Sequence, residues 1–165
     1  WLVDGYNVIR HDAELRDRET ARLEAGRAGL LALLGALARD VGDDFLVVFD
    51  GTHRGGDAPP RGRVQVQFSR PPETADDVLR RLAAAHREGA VVVTSDRAVL
   101  DSARRAGAVG VTAEAFLGAV RGPEAPDDDE DDDEPPRWRG PHRRPSREAR
   151  AAARVLRRLA RRPPG

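Results

Sequence analysis

The chain has 165 residues, no cysteine and a formal net charge of zero, with 28 basic residues that are all arginine against 28 acidic ones. The absence of cysteine excludes disulfides and thiolate metal sites, so any metal has to be held by oxygen or imidazole ligands. The sequence has neither an apolar stretch long enough to cross a bilayer nor a signal-peptide pattern, so we expect a cytoplasmic protein with no membrane partner. Because the chain opens at Trp1 without a methionine, we also expect a few preceding residues to be missing.

Residues 1–121 alternate short apolar runs, which predict strands, with stretches of helical spacing, which predict helices. In chain order, the predicted elements are a strand at 1–3, a polar stretch with room for a short helix at 10–17, a long helix at 19–40, strands at Phe45–Phe49 and Val64–Phe68, a helix at 74–88, a strand at 90–93, a helix at 97–106, a strand at Val109–Val111 and a helix at 113–120. This alternation predicts an α/β, Rossmann-like fold of three layers, with a parallel sheet flanked by helices.

Turn and capping residues mark several boundaries of these elements. Asp4 and Gly5 form a turn signal after the first strand, and Gly42 ends the long helix. Thr74 is the expected N-cap of the helix at 74–88, and Asp77 completes a capping box with it.

The C-terminal part of the chain is separated by charge. Residues 122–145 are acidic and then rich in proline and arginine, and we expect a disordered linker there. Residues 146–162 predict a short basic helix that Ser146 caps, with an apolar side formed by Val155, Leu156 and Leu159. This helix is a candidate for binding RNA or a ribosomal surface, or for folding back on the acidic run; a low-complexity appendage is the simpler interpretation of the acidic part.

Four aspartates are predicted to meet at one edge of the sheet. Asp4, Asp50 and Asp96 each follow a predicted strand, and the carboxyl ends of parallel strands share one edge. Asp76 lies in the first turn of a helix that leads into a parallel strand, and such a helix usually begins at that edge. Each acid alone is more often a turn or capping residue: Asp77 completes a capping box and Asp96 can cap the helix that follows it, whereas Asp50 has no obvious helix to cap. The joint pattern is therefore what indicates a site.

Such a group of acids points to a hard divalent cation. Two carboxylates 4 Å apart repel by about 4 kcal/mol at an effective dielectric constant of 20. Mg²⁺ or Mn²⁺ removes this cost and prefers carboxylate and water oxygens. The bound ion lowers the pKa of a water and stabilises charge on an attacked phosphodiester, which are the main requirements of a nuclease.

The sequence around these acids resembles the NYN domains of the YacP type, which are PIN-like nucleases. The resemblance rests on Val3-Asp4-Gly5-Tyr6-Asn7, on Val47-Val48-Phe49-Asp50, on Glu73-Thr74-Ala75-Asp76-Asp77 and on Thr94-Ser95-Asp96, in this order, and covers residues 1–120. It implies a PIN-like fold and an endoribonuclease that cleaves RNA with a water activated by a divalent metal.

The resemblance also implies roles for individual residues. Asp4, Asp76 and Asp96 match the metal-binding acids, and Asn7 matches a polar residue that supports the catalytic site. Asp50 and Asp77 match second-tier acidic positions. A further acid seen in some relatives has no counterpart at the expected place, because Asp101 is one helical position away from it.

Four arginines lie in the loop and strand that are predicted to flank the site, and they are candidates for gripping RNA phosphates or, equally, a solvated charged surface. They are Arg54, Arg61, Arg63 and Arg70. RNA, free or in a ribosome or other ribonucleoprotein, is therefore the expected partner.

The alternative functions are a DNA-directed nuclease, a phosphatase, a nucleotide-binding domain and a non-catalytic RNA-binding module. A phosphatase is disfavoured because no DxD motif follows the first strand, and a nucleotide-binding domain because no glycine-rich phosphate loop is present.

Overall fold

The computed structural model of the chain describes residues 1–51, 62–121 and 146–160. The predicted loop that carries Arg54 and Arg61, the predicted linker at 122–145 and residues 161–165 lie outside the described residues.

A parallel sheet of five strands, in the order β3-β2-β1-β4-β5, is the centre of the fold. The strands are β1 (Leu2–Asp4), β2 (Phe45–Phe49), β3 (Val64–Phe68), β4 (Val91–Val93) and β5 (Val109–Val111). Each pairs in parallel with its neighbour, and Leu2 at the centre is in register with Leu46 on one side and Val92 on the other. The predicted parallel sheet is confirmed, because short apolar runs with helices between them have few other ways to cover both faces.

Helices cover the sheet on both faces. They are α1 (Gly5–Arg10), α2 (Ala13–Ala21), α3 (Leu23–Val41), α4 (Ala75–His86), α5 (Arg97–Arg105), α6 (Ala113–Arg121) and α7 (Arg147–Ala160), and a single turn of 3-10 helix follows α4. Neighbouring strand residues point to opposite faces. Val3 therefore packs in a core with α1, α2, α3, α6 and α7, whereas Leu2 packs in a second core with α4 and α5. The three-layer α/β architecture is confirmed.

The segment between β1 and α3 differs from the prediction. The turn expected at Asp4 and Gly5 is the start of helix α1, and Asp4 is its N-cap. Gly5 fits there because a Cβ atom would collide with the ring of Phe49. The single helix predicted at 19–40 is two helices, because Arg22 adopts an extended conformation (φ −156°, ψ 131°) between α2 and α3.

The helix predicted near the C-terminus is present as α7, and Ser146 caps it through a hydrogen bond from the N–H of Ala149 to Oγ of Ser146 (3.1 Å). Its apolar side packs on the folded body: Leu159 is fully buried, and Val155 and Leu156 pack against the same core. Arg158 extends this contact with an ion pair to Asp43 (2.6 Å). None of the helices within the described ranges has the length and apolar character needed to span a membrane.

Candidate active site

Asp4 is the last residue of β1, and Asp96 follows the end of the neighbouring strand β4. Each is the N-cap of the helix that follows: Oδ1 of Asp4 accepts from the N–H of Asn7 (3.1 Å), and Oδ1 of Asp96 accepts from the N–H of Val99 (2.9 Å). The fully buried Thr94 joins them, because its hydroxyl donates to Oδ2 of Asp4 (3.0 Å) and accepts from the N–H of Asp96 (3.2 Å). The capping geometry therefore fixes both carboxylates at one edge of the sheet.

Asp50 anchors the start of α4 at the same edge. Its Oδ1 accepts hydrogen bonds from the hydroxyl of Ser69 (2.6 Å) and from the N–H of Ala75 (3.2 Å), the first residue of α4. The sequence offered no local cap for Asp50 to provide, because its helix begins 25 residues later in the chain. Asp76 is the next residue of α4, so this contact sets the position of Asp76 relative to β2.

The charges at this edge act on one another. Burial raises the pKa of Asp76, and the carboxylates of Asp96, Asp77 and Asp50 raise it further, against the opposing charge of Arg80. Arg80 lies 3.8 Å from Asp76 as an ion pair.

Burial also raises the pKa of Asp4, and the charge of Asp76 adds to this effect, although hydrogen bonds from Asn7 and Thr94 oppose it. The charge of Asp76 thus interacts with the charges of Asp4, Asp50 and Asp96 at this edge of the sheet, and these four residues form the acid cluster.

The chemistry of this cluster fits a hard divalent cation, since carboxylate oxygens are the ligands that Mg²⁺ and Mn²⁺ prefer. Burial raises the pKa of Asp76, repulsion from Asp96 and its other acidic neighbours raises it further, and a cation would remove that repulsion. Across the part of the chain that the structure describes, however, no three histidine or acidic side chains are drawn together closely enough to hold a metal ion. The residues that the resemblance matches to metal ligands are Asp4, Asp76 and Asp96, and the charge of Asp76 interacts with the charges of both others.

Asp77 belongs to the cap of α4. Its Oδ2 accepts from the N–H of Thr74 (3.1 Å) and lies 2.9 Å from Oγ1 of Thr74, and its own N–H donates to Oγ1 of Thr74 (3.2 Å). The hydrogen bond from the N–H of Thr74 lowers the pKa of Asp77, so this side chain is held as a carboxylate. The predicted capping box is confirmed.

Asn7 is held by a ring of hydrogen bonds beside Asp4. Its side-chain oxygen accepts from the N–H of Ser95 (2.8 Å), and the hydroxyl of Ser95 donates to Oε2 of Glu114 (2.8 Å). Nε2 of His11 lies 2.9 Å from Oε1 of Glu114, and its Nδ1 lies 2.7 Å from the main-chain oxygen of Asn7. Both ring nitrogens of His11 thus face oxygen atoms of this network.

A buried arginine lies on the other side of the acids. Arg27 is only 6% exposed, and both its Nε (2.9 Å) and one Nη donate to the phenol oxygen of Tyr6. The rings of Tyr6, Phe49 and Phe68 surround its guanidinium, with centroids 5.4, 5.4 and 5.1 Å from Cζ. Such cation–π contacts are strongest where water is excluded.

Sequence reasoning assigned no role to several of these residues. Thr94 and Ser95 stand directly before Asp96, and Glu114 follows β5 much as Asp96 follows β4, so a strand-end search could have found them. Arg27 lies within the apolar pattern of α3 and carries no such signal.

Two of the arginines predicted to bind phosphate, Arg63 and Arg70, lie beyond opposite ends of strand β3. Arg70 follows β3 at the edge of the acids and is exposed. Arg63 precedes β3 and binds Oδ1 of Asp44 (3.0 Å) at the opposite edge, so its predicted position beside the site is wrong. The reason is that β3 runs parallel to β2 and carries its first residues away from the acids. Arg54 and Arg61 lie outside the described residues.

Comparison with known proteins places this chain in a family. The family model described as "YacP-like NYN domain" matches residues 1–160 of the chain. A protein of Bacillus subtilis (strain 168) described as "Uncharacterized protein YacP" is 34% identical over 86 residues, which are 51% of this chain and 51% of that protein. The match thus spans about half the length of this curated relative.

Solved structures agree with the family assignment. The crystal structure of Rae1 (YacP) from Bacillus subtilis has a TM-score of 0.61 and 30% identity to this chain, with 70% of each chain covered. A point mutant of Rae1 (YacP) has a TM-score of 0.57 and 28% identity, with 73% of this chain and 80% of the mutant chain covered. The PIN-like NYN fold expected from the sequence is confirmed.

Proposed function

Because the chain belongs to the YacP-like NYN domain family and has its nuclease-like fold, we propose that it is an endoribonuclease that depends on Mg²⁺ or Mn²⁺. The observation that carries the proposal is the convergence of Asp4, Asp76 and Asp96, from three separate elements, into a cluster in which the pKa values of Asp4 and Asp76 are raised. Perturbed acids grouped at the carboxyl edge of a parallel sheet are typical of a functional site.

In this mechanism Asp4, Asp76 and Asp96 would hold the metal. When bound, the ion would supply an activated water and stabilise the negative charge that develops on the oxygens of the attacked phosphate. Thr94 orients the carboxylate of Asp4 through its hydroxyl, and such outer contacts matter for metal sites. The side-chain oxygen of Asn7 accepts from the N–H of Ser95, which leaves the amide N–H groups of Asn7 as the donors that it can offer to a ligand.

A second candidate is a non-catalytic or partner-dependent RNA-binding module on the same fold. One observation favours it: within residues 1–51, 62–121 and 146–160, the acids are not drawn together into a ready ligand group. In that case RNA, alone or in a ribonucleoprotein such as the ribosome, would have to complete the site.

The first experiment is cleavage of end-labelled single-stranded and structured RNA, and of DNA of the same sequence, with Mg²⁺, Mn²⁺ or EDTA. We expect internal cuts in RNA that need the metal and that Asp76→Asn abolishes. Asp101→Asn is the matched control, because Asp101 is an exposed helical acid paired with Arg104 outside the cluster. RNA binding without cleavage by the wild type would favour the second candidate, and equal cleavage by Asp76→Asn would contradict the proposed site.

A further inference from the structure

A cleft lies beside the acid cluster, between the start of α3 and the ends of β1 and β2. Its lining includes Tyr6, Arg22, Leu23, Glu24, Arg27 and Asp50. Asp50 belongs to both the cleft and the cluster, since its charge acts on Asp76. A chain bound across the acids can therefore continue into this cleft.

Arg27 fixes the hydrogen-bonding role of Tyr6 in the cleft. The phenol oxygen of Tyr6 accepts from Nε of Arg27 (2.9 Å) and from one of its Nη atoms. With two donors directed at the oxygen, the hydroxyl proton has to point away from Arg27. Tyr6 is half-buried and lines the cleft, so it presents a donor there from a ring held against Phe49 (centroids 5.1 Å apart).

The rim of the cleft carries three side chains with few contacts of their own. Leu23 is 44% exposed, and among the described residues it is the only large apolar side chain that is exposed. Arg22 and Glu24 are exposed, and among the described residues their side chains enter neither hydrogen bonds nor ion pairs. The extended backbone at Arg22 that separates α2 from α3 brings these three residues to the rim.

We propose that this cleft binds one ribonucleotide of the RNA next to the scissile phosphate, an inference that rests on the proposed function. Leu23 and the ring of Tyr6 contact the base, and Arg22 pairs with a phosphate. Glu24 accepts a hydrogen bond from the ribose 2′-hydroxyl, the group by which a protein distinguishes RNA from DNA.

The mixed chemistry of the lining selects a nucleotide over a bare phosphate. Two carboxylates, Glu24 and Asp50, share the cleft with the two arginines, and carboxylates repel an anion that offers no donor. A ribose offers donors to these acids, and a base offers an apolar face to Leu23. A ribonucleotide satisfies all of these groups at once.

The test compares Arg22→Ala, Leu23→Ala and Glu24→Ala with the wild type in steady-state cleavage of a short RNA that has one cut site. Arg39→Ala is the matched control, because Arg39 is an exposed arginine in the last turn of the same helix. We expect the KM to rise about 3- to 10-fold for Arg22→Ala and Leu23→Ala, with kcat within about twofold, and no change for Arg39→Ala. Thermal melting establishes that each variant is folded.

The role of Glu24 is read from a single 2′-deoxy substitution next to the cut site. We expect this substitution to weaken the wild type and to have a smaller effect on Glu24→Ala. An equal effect on both proteins would overturn the assignment of Glu24.

The experiment gives different results if the cleft does not bind RNA and if the chain is not a nuclease. Cleavage by the wild type with unchanged KM in Arg22→Ala and Leu23→Ala would reject the cleft and leave the nuclease. If the wild type does not cleave, fluorescence anisotropy with the same labelled RNA in EDTA decides: weaker binding by both variants supports the cleft, and equal binding rejects it.

Discussion

The hydroxyl of Thr94 donates to Oδ2 of Asp4 at 3.0 Å, across 90 residues of sequence and between two neighbouring strand ends. The same hydroxyl accepts from the N–H of Asp96, so one buried oxygen sets the spacing of two site carboxylates. We therefore regard Thr94 as a positioning residue of the candidate site.

Thr94→Val is expected to lower metal-dependent RNA cleavage by about 10- to 100-fold, the usual effect of losing an outer contact to a metal ligand. It should also lower the free energy of unfolding by about 1–3 kcal/mol, because the N–H of Asp96 loses its buried acceptor. Thr94→Ser retains the hydroxyl and should restore most of the activity. Full activity in Thr94→Val, measured at saturating Mn²⁺, would contradict this role.

The adjacent residues Asp76 and Asp77 should respond in opposite ways. Asp77→Ala removes half of the capping box and is expected to cost about 0.5–2 kcal/mol of unfolding free energy, with a small loss of kcat. Asp76→Ala is expected to lower cleavage by at least about 100-fold, since losses at outer contacts already reach that size. Urea unfolding and cleavage rates of the two variants, measured side by side, check the contrast. A larger loss of kcat in Asp77→Ala than in Asp76→Ala would reverse our assignment.

We expect Asp50 to act mainly as the hydrogen-bond acceptor that anchors α4, and we expect its negative charge to matter less for cleavage. Asp50→Asn keeps an oxygen that can accept from Ser69 and Ala75, so we expect stability close to wild type and cleavage within about threefold of it. Asp50→Ala removes the acceptor and should cost about 1–3 kcal/mol of unfolding free energy. If Asp50→Asn were as inactive as Asp76→Asn while remaining folded, Asp50 would have to be counted among the metal ligands.

The raised pKa of Asp76 predicts the direction in which the stability of the folded protein changes with pH. The folded protein takes up this proton at higher pH than the unfolded chain, whose Asp has the ordinary pKa of 3.8. The stability cost of the charge is therefore absent below pH 3.8 and grows as the pH rises through the raised pKa. In EDTA, Asp76→Asn should gain stability relative to wild type over this window, and Mn²⁺ should reverse the difference at neutral pH. A pH-independent difference in urea unfolding would refute the electrostatic account.

Cleavage activity should depend on pH in the opposite direction. Metal binding needs Asp4 and Asp76 as carboxylates, and burial and mutual repulsion raise the pKa values of both. Activity is thus expected to fall, as the pH is lowered, at higher pH than an ordinary aspartate would allow. Raising the Mn²⁺ concentration should move this decline toward lower pH, because metal and protons compete for the same oxygens. A decline unaffected by Mn²⁺ would place the titrating group elsewhere.

The sheet could be predicted from sequence because its signals are local. Phe45–Phe49 and Val64–Phe68 appear with the bounds expected from their apolar patterns. The start of α1 was missed because it depends on a tertiary contact, in which Gly5 lies against Phe49. The break at Arg22 was missed because the stretches on both sides of it favour helix.

The candidate site shows the same division. The strand ends carry the acids, so their shared edge followed from the alternation of elements alone. The contacts that orient them join distant positions, as Ser69 does with Asp50 and Glu114 with Ser95. A single sequence does not pair such residues, and Arg63 was misplaced because the residue that precedes β3 lies at the amino end of the strand, away from the acids.

The central position of β1 in the sheet affects the order in which the site can assemble during synthesis. Leu2 is among the first residues of this segment to be synthesised, yet its sheet partners are Leu46 and Val92. A nascent chain that ends before β4 carries Asp4 and Asp76 without Asp96. The proposed set of metal ligands is therefore complete only in a chain long enough to include β4 and the start of α5.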